Sequence, residues 1–470
     1  MTSSATSLNG FRDTSTGSQL PFGPVPIDRL IESIRSGAID AVLLVTPDNA
    51  GRCLGERVPG ARILQAIDDP LAIRVPLMLW GIDIEQNVRA GLVHVGGMAA
   101  GVPDVPLVPD LSTARLLPWL PRTPVIICDP ADAEGRPLDI APRQMLKRQL
   151  ARLEALGVQL QAATELEFNL FTESYEDAWR NGYTTLTPSS RYHAAYDALE
   201  ALKSEAFIDA VISQMDQAGI EVEGYANEYG RGQHEINLKH TTALEMADRH
   251  FLYKFGVKSI ATRLGVSATF MAKWMIGDEG NSCHVHVSLW DADTTAPLGE
   301  DKRFDAFVGG VAAHMAESTL MYAPHINSYR RFRPHSFAPT TIAVGDNNRT
   351  CSLRVVGLGK HRRVENRVPG ADVNPYVALA AVALGGAGGI ETEAAMPHLE
   401  TGDVYSRTDL PMLPTSLPAA LSLFENSKAV RDGLGTEAHH HLLAVGREEE
   451  IAFLSETVTD WERRRLFERG

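Results

Sequence analysis

The 470-residue chain has only four cysteines, Cys53, Cys128, Cys283 and Cys351, dispersed and without a CxxC pair. That excludes a disulfide framework and gives no sign of a zinc cluster. Long hydrophobic runs are missing too. The least polar stretch, residues 376–390 (YVALAAVALGGAGGI), is too short and too rich in glycine and alanine to span a bilayer. No secretory hydrophobic segment opens the chain, so a cytoplasmic protein with no membrane partner is expected. Positive charge is in deficit: 44 Lys and Arg against 59 Asp and Glu give a formal net charge of −15. A nucleic-acid partner requires a basic footprint and is not expected. Neither GxxxxGK[ST] nor a helix-opening GxGxxG is present, so a P-loop or kinase-type nucleotide site is unsupported.

What is present fits a soluble globular protein of one large domain or two ordinary ones, with 44% hydrophobic and 22% charged residues. Residues 1–24 are rich in Ser, Thr and Gly and read as a mobile tail. A short helix is predicted within 26–37, then a strand over 40–48 closed by the turn Asn49-Ala50-Gly51. Strand-like pieces punctuated by Pro and Gly fill 76–129, so 25–138 reads as a small, mainly β domain. From Asp139 the pattern changes. A helix over 141–157 runs into the strand ATELEFNLF at 163–171, and helical periodicity returns in 205–219, 242–265 and 303–322. The fold class predicted is α+β, an antiparallel or mixed sheet with helices on its outer side, extending through 139–470.

Several strands carry polar residues at alternating positions, where Val or Ile would be usual. These are Glu165 and Glu167; Gln233, Glu235 and Asn237; His284, His286 and Ser288; and Glu365 and Arg367. Alternation places each set on one strand face. An open antiparallel sheet with a solvated face would also alternate. The restriction to Glu, His, Gln and Arg favours a curved sheet whose polar faces line one cavity. Glu165, Glu167, Glu228, Glu235, Glu365 and His284 would then share it, which is tolerable only with compensating cations. Carboxylates with one imidazole suit Mg²⁺ or Mn²⁺, and six ligands suit two or three ions. Arg331, Arg349, Arg354 and Arg367 are available to clamp phosphate or carboxylate. Acid, metal and arginine together are equipment for phosphoryl transfer.

Five segments, TELEF, EYGRGQHEI (228–236), GNSCHVHVSL (280–289), NSYRRFRP (327–334) and RVENRVPGADVNPY (363–376), together resemble the motifs of the glutamine synthetase family, in order and with compatible spacing. The resemblance runs from about Ile27 to the C-terminal VTDWERRR. It implies an N-terminal β-grasp domain, a catalytic domain on a curved antiparallel sheet, and rings of subunits with active sites between neighbours, two stacked hexamers being expected. The substrates implied are glutamate, ATP and an amine. By position, Glu167, Glu228 and Glu235 resemble the ligands of the metal beside glutamate, and Glu165, His284 and Glu365 those of the metal on the nucleotide phosphates. Arg331 and Arg367, with Gly280, resemble the glutamate contacts. Arg349, Arg354 and His286 resemble phosphate contacts, and Ser288 lies near the nucleotide. Asp48 resembles the residue a neighbouring subunit contributes to deprotonate the incoming nucleophile.

The chain departs from the ammonia-using members at Phe337, where they carry a glutamate that helps to hold ammonium. A phenyl ring accepts no proton, but it offers a face to an amine with a carbon tail. Glu279 replaces a usual Asn, and Tyr192 is a further candidate for the amine pocket. FxxxSFAP and EGNSCHVH are closer to the branch of gamma-glutamyl amine ligases. Its alternatives are an ammonia-using glutamine synthetase through Asp48 alone, a non-catalytic ring or amine sensor, and a guanidino-kinase-like phosphotransferase. His439, His440 and His441 read as a solvated helix face, and Glu448, Glu449 and Glu450 as acids at the start of an apolar helix. Tyr405 matches the modified tyrosine of some members only loosely.

Overall fold

The computed structural model describes residues 20–92, 94, 95 and 101–469. Residues 1–19 of the expected tail lie outside that range. The tail does not extend to residue 24. Leu20 and Val25 are buried in a hydrophobic cluster, and Gly23–Pro24 pair with Arg115–Leu116.

Two sheets organise the chain. The first contains, in spatial order, Gly23–Pro24, Arg115–Leu116, Val125–Pro130, Ala41–Pro47 and Cys53–Pro59, with Asp104–Pro109 and Arg74–Pro76 joined beyond Val125–Pro130. Ala41–Pro47 is parallel to Val125–Pro130 and antiparallel to Cys53–Pro59. Leu30 of the helix Ile27–Arg35 and Ile63 of the helix Gly60–Asp68 are buried with Val42, Leu44, Trp80 and Ile126.

The second sheet runs Leu399–Glu400, Val344–Asp346, Leu353–Val356, Arg363–Asn366, Cys283–Asp291, Val158–Phe171, Gln233–Leu238, Val222–Asn227. Most neighbours are antiparallel; Val344–Asp346 is parallel to both of its own. The long central strand obeys its sequence period. Val158, Leu160, Ala162, Thr164 and Leu166 are buried, while Gln159, Gln161, Ala163 and Glu165 on the alternate face are only half-buried. The buried residues join a cluster with Phe251 and Ile260 of the helix Ala243–Leu264, and with Leu379 and Val382 of the helix Pro375–Glu391.

That last helix is the weakly polar run singled out in the sequence. It is buried because it packs closely against Lys302–Ala313: a Cβ at Gly386 would fall 2.0 Å from the Phe307 ring. No helix among the described residues is long and apolar enough to cross a membrane. The helical stretch expected over 303–322 is interrupted, forming Lys302–Ala313 and Thr319–Tyr322.

A buried cation fastens the helix Pro142–Ala155 to its surroundings. Arg143, 2% exposed, donates to both carboxylate oxygens of Asp248 at 2.9 Å, to Asp129 at 2.7 Å and to Asp110 at 2.8 Å. Its partners come from both halves of the chain.

Candidate active site

Strand register brings the acidic residues together. Glu235 lies directly opposite Glu167, and Asn237 opposite Glu165. On the other side of the central strand His284 lies opposite Glu165. His286 lies opposite Glu365, which in turn lies opposite Arg354. Alternation makes all of these project from one sheet face. A cavity of about 440 Å³ on that face is lined by Glu165, Glu167, Glu228, Glu235, His284 and Arg349, among others. Gly280, Arg331, Arg367, Phe337 and Glu279 also line it.

The six proposed metal ligands divide into two electrostatic groups. In one, Glu165 is 2.6 Å from His284 Nδ1 and 3.2 Å from His286 Nε2. Glu365 accepts from Arg354 at 2.9 Å and from Arg367 at 2.5 Å. Burial alone would raise both acids. Instead His284 and His286 hold Glu165 well below the usual carboxylate range, and His284 and Arg367 bring Glu365 down to about 2. In the other group, Glu167, Glu228 and Glu235 have no ion-pair partner among the described residues. Burial and the neighbouring Glu228 push Glu167 up to about 8. Burial, with the charge of Glu165 besides, raises Glu228 and Glu235 as well. Gln233 Nε2 and the Ser282 amide donate to Glu167, at 3.1 and 2.6 Å, and fix its orientation without neutralising it.

This donor set fits hard divalent cations. Ligating atoms of Glu165, His286 and Glu365 lie within 4.8 Å of one another, and the other donors are the carboxylates of Glu167, Glu228 and Glu235 and the His284 imidazole. Oxygen-rich sites of this kind suit Mg²⁺ or Mn²⁺. His286 joins this group by geometry, whereas the sequence resemblance assigned it to phosphate and gave the ligand role to His284. His284 Nδ1 is also 3.4 Å from Glu365.

Glu165 also lines a second cavity of about 530 Å³ with Asn237, His286, Ser288, Trp290 and Arg362. Ser288 therefore stands apart from the acidic cavity, on the far side of Glu165. Trp290 was missed by the sequence reading, although it continues the alternation of His284, His286 and Ser288.

Arg331 and Arg367 are both 2% exposed. Arg331 donates its terminal nitrogens to the carbonyls of Arg367, Val368 and Pro369. The Nε atoms of both arginines are buried without a partner. Gly280 is required beside them, since a Cβ there would come within 2.5 Å of Arg331 Cγ. Arg354 lines neither cavity directly and reaches the site through Glu365.

Two further residues, Tyr192 and Asp48, stand away from the acidic cavity. Tyr192 does not line the cavity; its exposed ring sits under the Lys203 ammonium. Tyr196 and Tyr229 line it instead. Tyr196 has a left-handed backbone (φ +58°) in a loop, which no strand or helix periodicity reveals. Asp48 is also absent from the cavity lining of its own chain. Its carboxylate accepts from the Ala50 and Arg52 amides and from Arg52 Nε at 2.6 Å. Phe337 stands at the cavity, 63% exposed and left-handed (φ +56°), with its carbonyl accepting from Arg367.

The histidine run and the acids after it are not as the sequence suggested. His439 and His441 are buried and only His440 is exposed. His439 stacks on Phe424, and His441 Nε2 is 2.8 Å from Asn49 Oδ1. Glu448–Glu450 lie inside the helix Thr436–Glu456, with Glu448 accepting from the Gly91 amide and Glu449 paired with His325. Tyr405 donates to the Ala338 carbonyl.

Known proteins resemble this chain along most of its length. Residues 139–466 match the glutamine synthetase catalytic domain. The gamma-glutamylethanolamide synthetase of Streptomyces coelicolor is 40% identical over 95% of this chain and 96% of its own. A glutamate–isopropylamine ligase of Pseudomonas sp is 34% identical over 92% and 94%. Among solved structures, GmaS without ligand has 30% identity and a TM-score of 0.79, covering 93% of this chain and 99% of that one. GmaS with ADP has 29% identity, a TM-score of 0.78 and the same coverage. The chain belongs to the glutamine synthetase family, and is an ATP-dependent carbon–nitrogen ligase.

Proposed function

We propose that this enzyme joins the γ-carboxylate of glutamate to a primary amine through γ-glutamyl phosphate, releasing ADP and phosphate. The observation that carries the amine reading is Phe337, an apolar ring standing beside the carboxylate cavity where an ammonium site would need an acid. Glu279, in the same lining, supplies a charge for a cationic or hydroxylated amine.

Two or three Mg²⁺ or Mn²⁺ ions would be held by Glu167, Glu228 and Glu235 and by Glu165, Glu365 and a histidine, and when bound would offset the charge of ATP and of the transferring phosphoryl group. Arg331 and Arg367 would orient glutamate's carboxylate from below the Gly280 loop. Arg349, with Arg354 acting beside Glu365, would balance charge on the phosphoryl oxygens. The cavity walls would keep acyl phosphate and amine together and exclude water. Asp48 would take the amine's proton as general base in the site of an adjoining subunit. That assignment calls for a ring, and two stacked hexamers are the assembly proposed. Residues 25–138 would serve as the β-grasp domain that presents Asp48.

The test is turnover with glutamate, ATP and Mg²⁺ or Mn²⁺ against a panel of ethanolamine, isopropylamine, longer alkylamines, anilines, polyamines and ammonium. Phosphate release and a γ-glutamylamide product should be greatest with an amine that bears carbon. Release that is greatest with ammonium overturns the amine reading.

A further inference from the structure

The Asp48 turn is held from several sides, and one of its holders is the buried His441 of the helix Thr436–Glu456. Asn374, at the start of the helix Pro375–Glu391, donates to the Asp48 and Asn49 carbonyls at 2.9 and 3.2 Å. Gly51 (φ +74°) lets the turn press against it, because a Cβ there would come 3.1 Å from Asn374 Cα. The Asn49 side chain extends the other way. Its Nδ2 donates to the Trp80 carbonyl at 2.8 Å, which leaves Oδ1 as the acceptor facing His441. His441 Nε2 therefore carries the proton that closes the 2.8 Å contact, and Nδ1 faces His94 Nε2 at 3.3 Å. His441 has no exposure to solvent. This bond joins Thr436–Glu456 to a turn 392 residues earlier in the chain.

We infer that His441 and Asn49 are positioning residues that aim the Asp48 carboxylate for amine deprotonation, through the bond from His441 Nε2–H to Asn49 Oδ1. This rests on the proposed role of Asp48 as general base. Neither residue lines the acidic cavity of its own chain. Their influence is on the second half of the reaction, in which the amine loses a proton as its nitrogen attacks the acyl phosphate. Formation of γ-glutamyl phosphate does not need them. A base displaced by about 1 Å can cost on the order of a hundredfold in rate.

The experiment compares His441→Leu, His441→Gln, Asn49→Leu and Asp48→Asn in the full-length enzyme. Each is assayed with the best alkylamine and with hydroxylamine, which is already unprotonated at neutral pH and needs little help from a base. His441→Leu removes the donor at similar volume, whereas His441→Gln can restore an N–H near the position of Nε2. The expected result is a ten- to hundredfold loss of kcat for the alkylamine in His441→Leu and Asn49→Leu, on the order set by misalignment. KM for glutamate and ATP stays within about twofold, hydroxamate formation is largely kept, and His441→Gln recovers most of the alkylamine rate. Asn49→Leu approaches the same bond from its other end, should His441→Leu fail to fold. Alkylamine kcat unchanged in both leucine variants, while Asp48→Asn loses it, overturns the inference and leaves the Asp48 reading standing. Equal loss with both nucleophiles also overturns it, since that marks general damage. Alkylamine kcat unchanged in Asp48→Asn overturns the base assignment itself, and the inference with it.

Discussion

Glu235 and Glu167 face each other across a single rung of antiparallel sheet, and among the described residues neither has a basic partner. Beyond Glu165, by contrast, Glu365 is held between Arg354 and Arg367. Among the described residues the chain therefore compensates one half of its acidic cluster internally and gives the other half, Glu167, Glu228 and Glu235, no such partner; in the proposed function that partner is a cation. Like charges at this separation oppose ionisation unless a cation enters.

The uncompensated trio should thus dominate cation-linked stability. Added to protein stripped with chelator and then freed of it, Mn²⁺ or Mg²⁺ should raise the melting temperature. A cation present at a hundredfold over its dissociation constant contributes about 2.7 kcal/mol. Glu235→Gln should weaken that cation at least tenfold, the least that loss of even a supporting outer-shell partner costs. Titration calorimetry of the chelated protein checks this. Equal affinity in Glu235→Gln and the unaltered enzyme would remove the trio from the metal assignment.

Phe337 sets the second expectation. An amine that buries three carbons against the ring gains about 0.8 kcal/mol for each, or roughly fiftyfold in total. Phe337→Glu replaces that apolar face with an acid. The ratio of kcat/KM for ammonium to that for isopropylamine should rise by about tenfold or more, most of it from loss on the amine side. A ratio that does not move would show that the ring takes no part in nucleophile choice.

The acidic cluster was legible in the sequence because strand alternation is a hard rule. Once TELEF, QHEIN and CHVHVS are strands, their polar residues must share faces, and only register is left to fix. The failures have the opposite cause. Tyr196 and Tyr229 reach the cavity from loops, where no period predicts direction. His439–His441 read as solvated because adjacent helical residues point about 100° apart and their partners, Phe424 and Asn49, are supplied by the fold. Glu448 and Glu449 likewise find the Gly91 amide and His325 far away in sequence. Local composition cannot show that a polar residue is buried by something distant.

Arg143 offers a stability test away from the cavity. Its three acidic partners, Asp110, Asp129 and Asp248, are left facing one another if it is removed. Breaking a buried ion network by deleting one partner costs about 3–5 kcal/mol. Arg143→Met should lower the melting temperature accordingly. Arg143→Lys should recover only part of it, because an ammonium cannot reproduce the forked contact with Asp248. Full recovery by lysine would show that charge alone, without geometry, holds this junction.

His441 gives a pH dependence whose sign is fixed. Burial, with His94 and His440 adding to it, brings its imidazole down to about 3, so it stays neutral in the folded protein. An unfolded chain binds the proton near pH 6.5. The stabilising contribution is therefore complete above about pH 6.5 and is lost as the pH falls toward 3, at up to about 1.4 kcal/mol per pH unit. His441→Gln cannot titrate and should remove that share of the acid slope while keeping the donor to Asn49. Melting temperatures of the two proteins measured from pH 7.5 down to 4.5 should accordingly converge as the pH falls. Parallel curves over that range would mean that His441 takes up its proton in the folded enzyme as readily as in the unfolded chain.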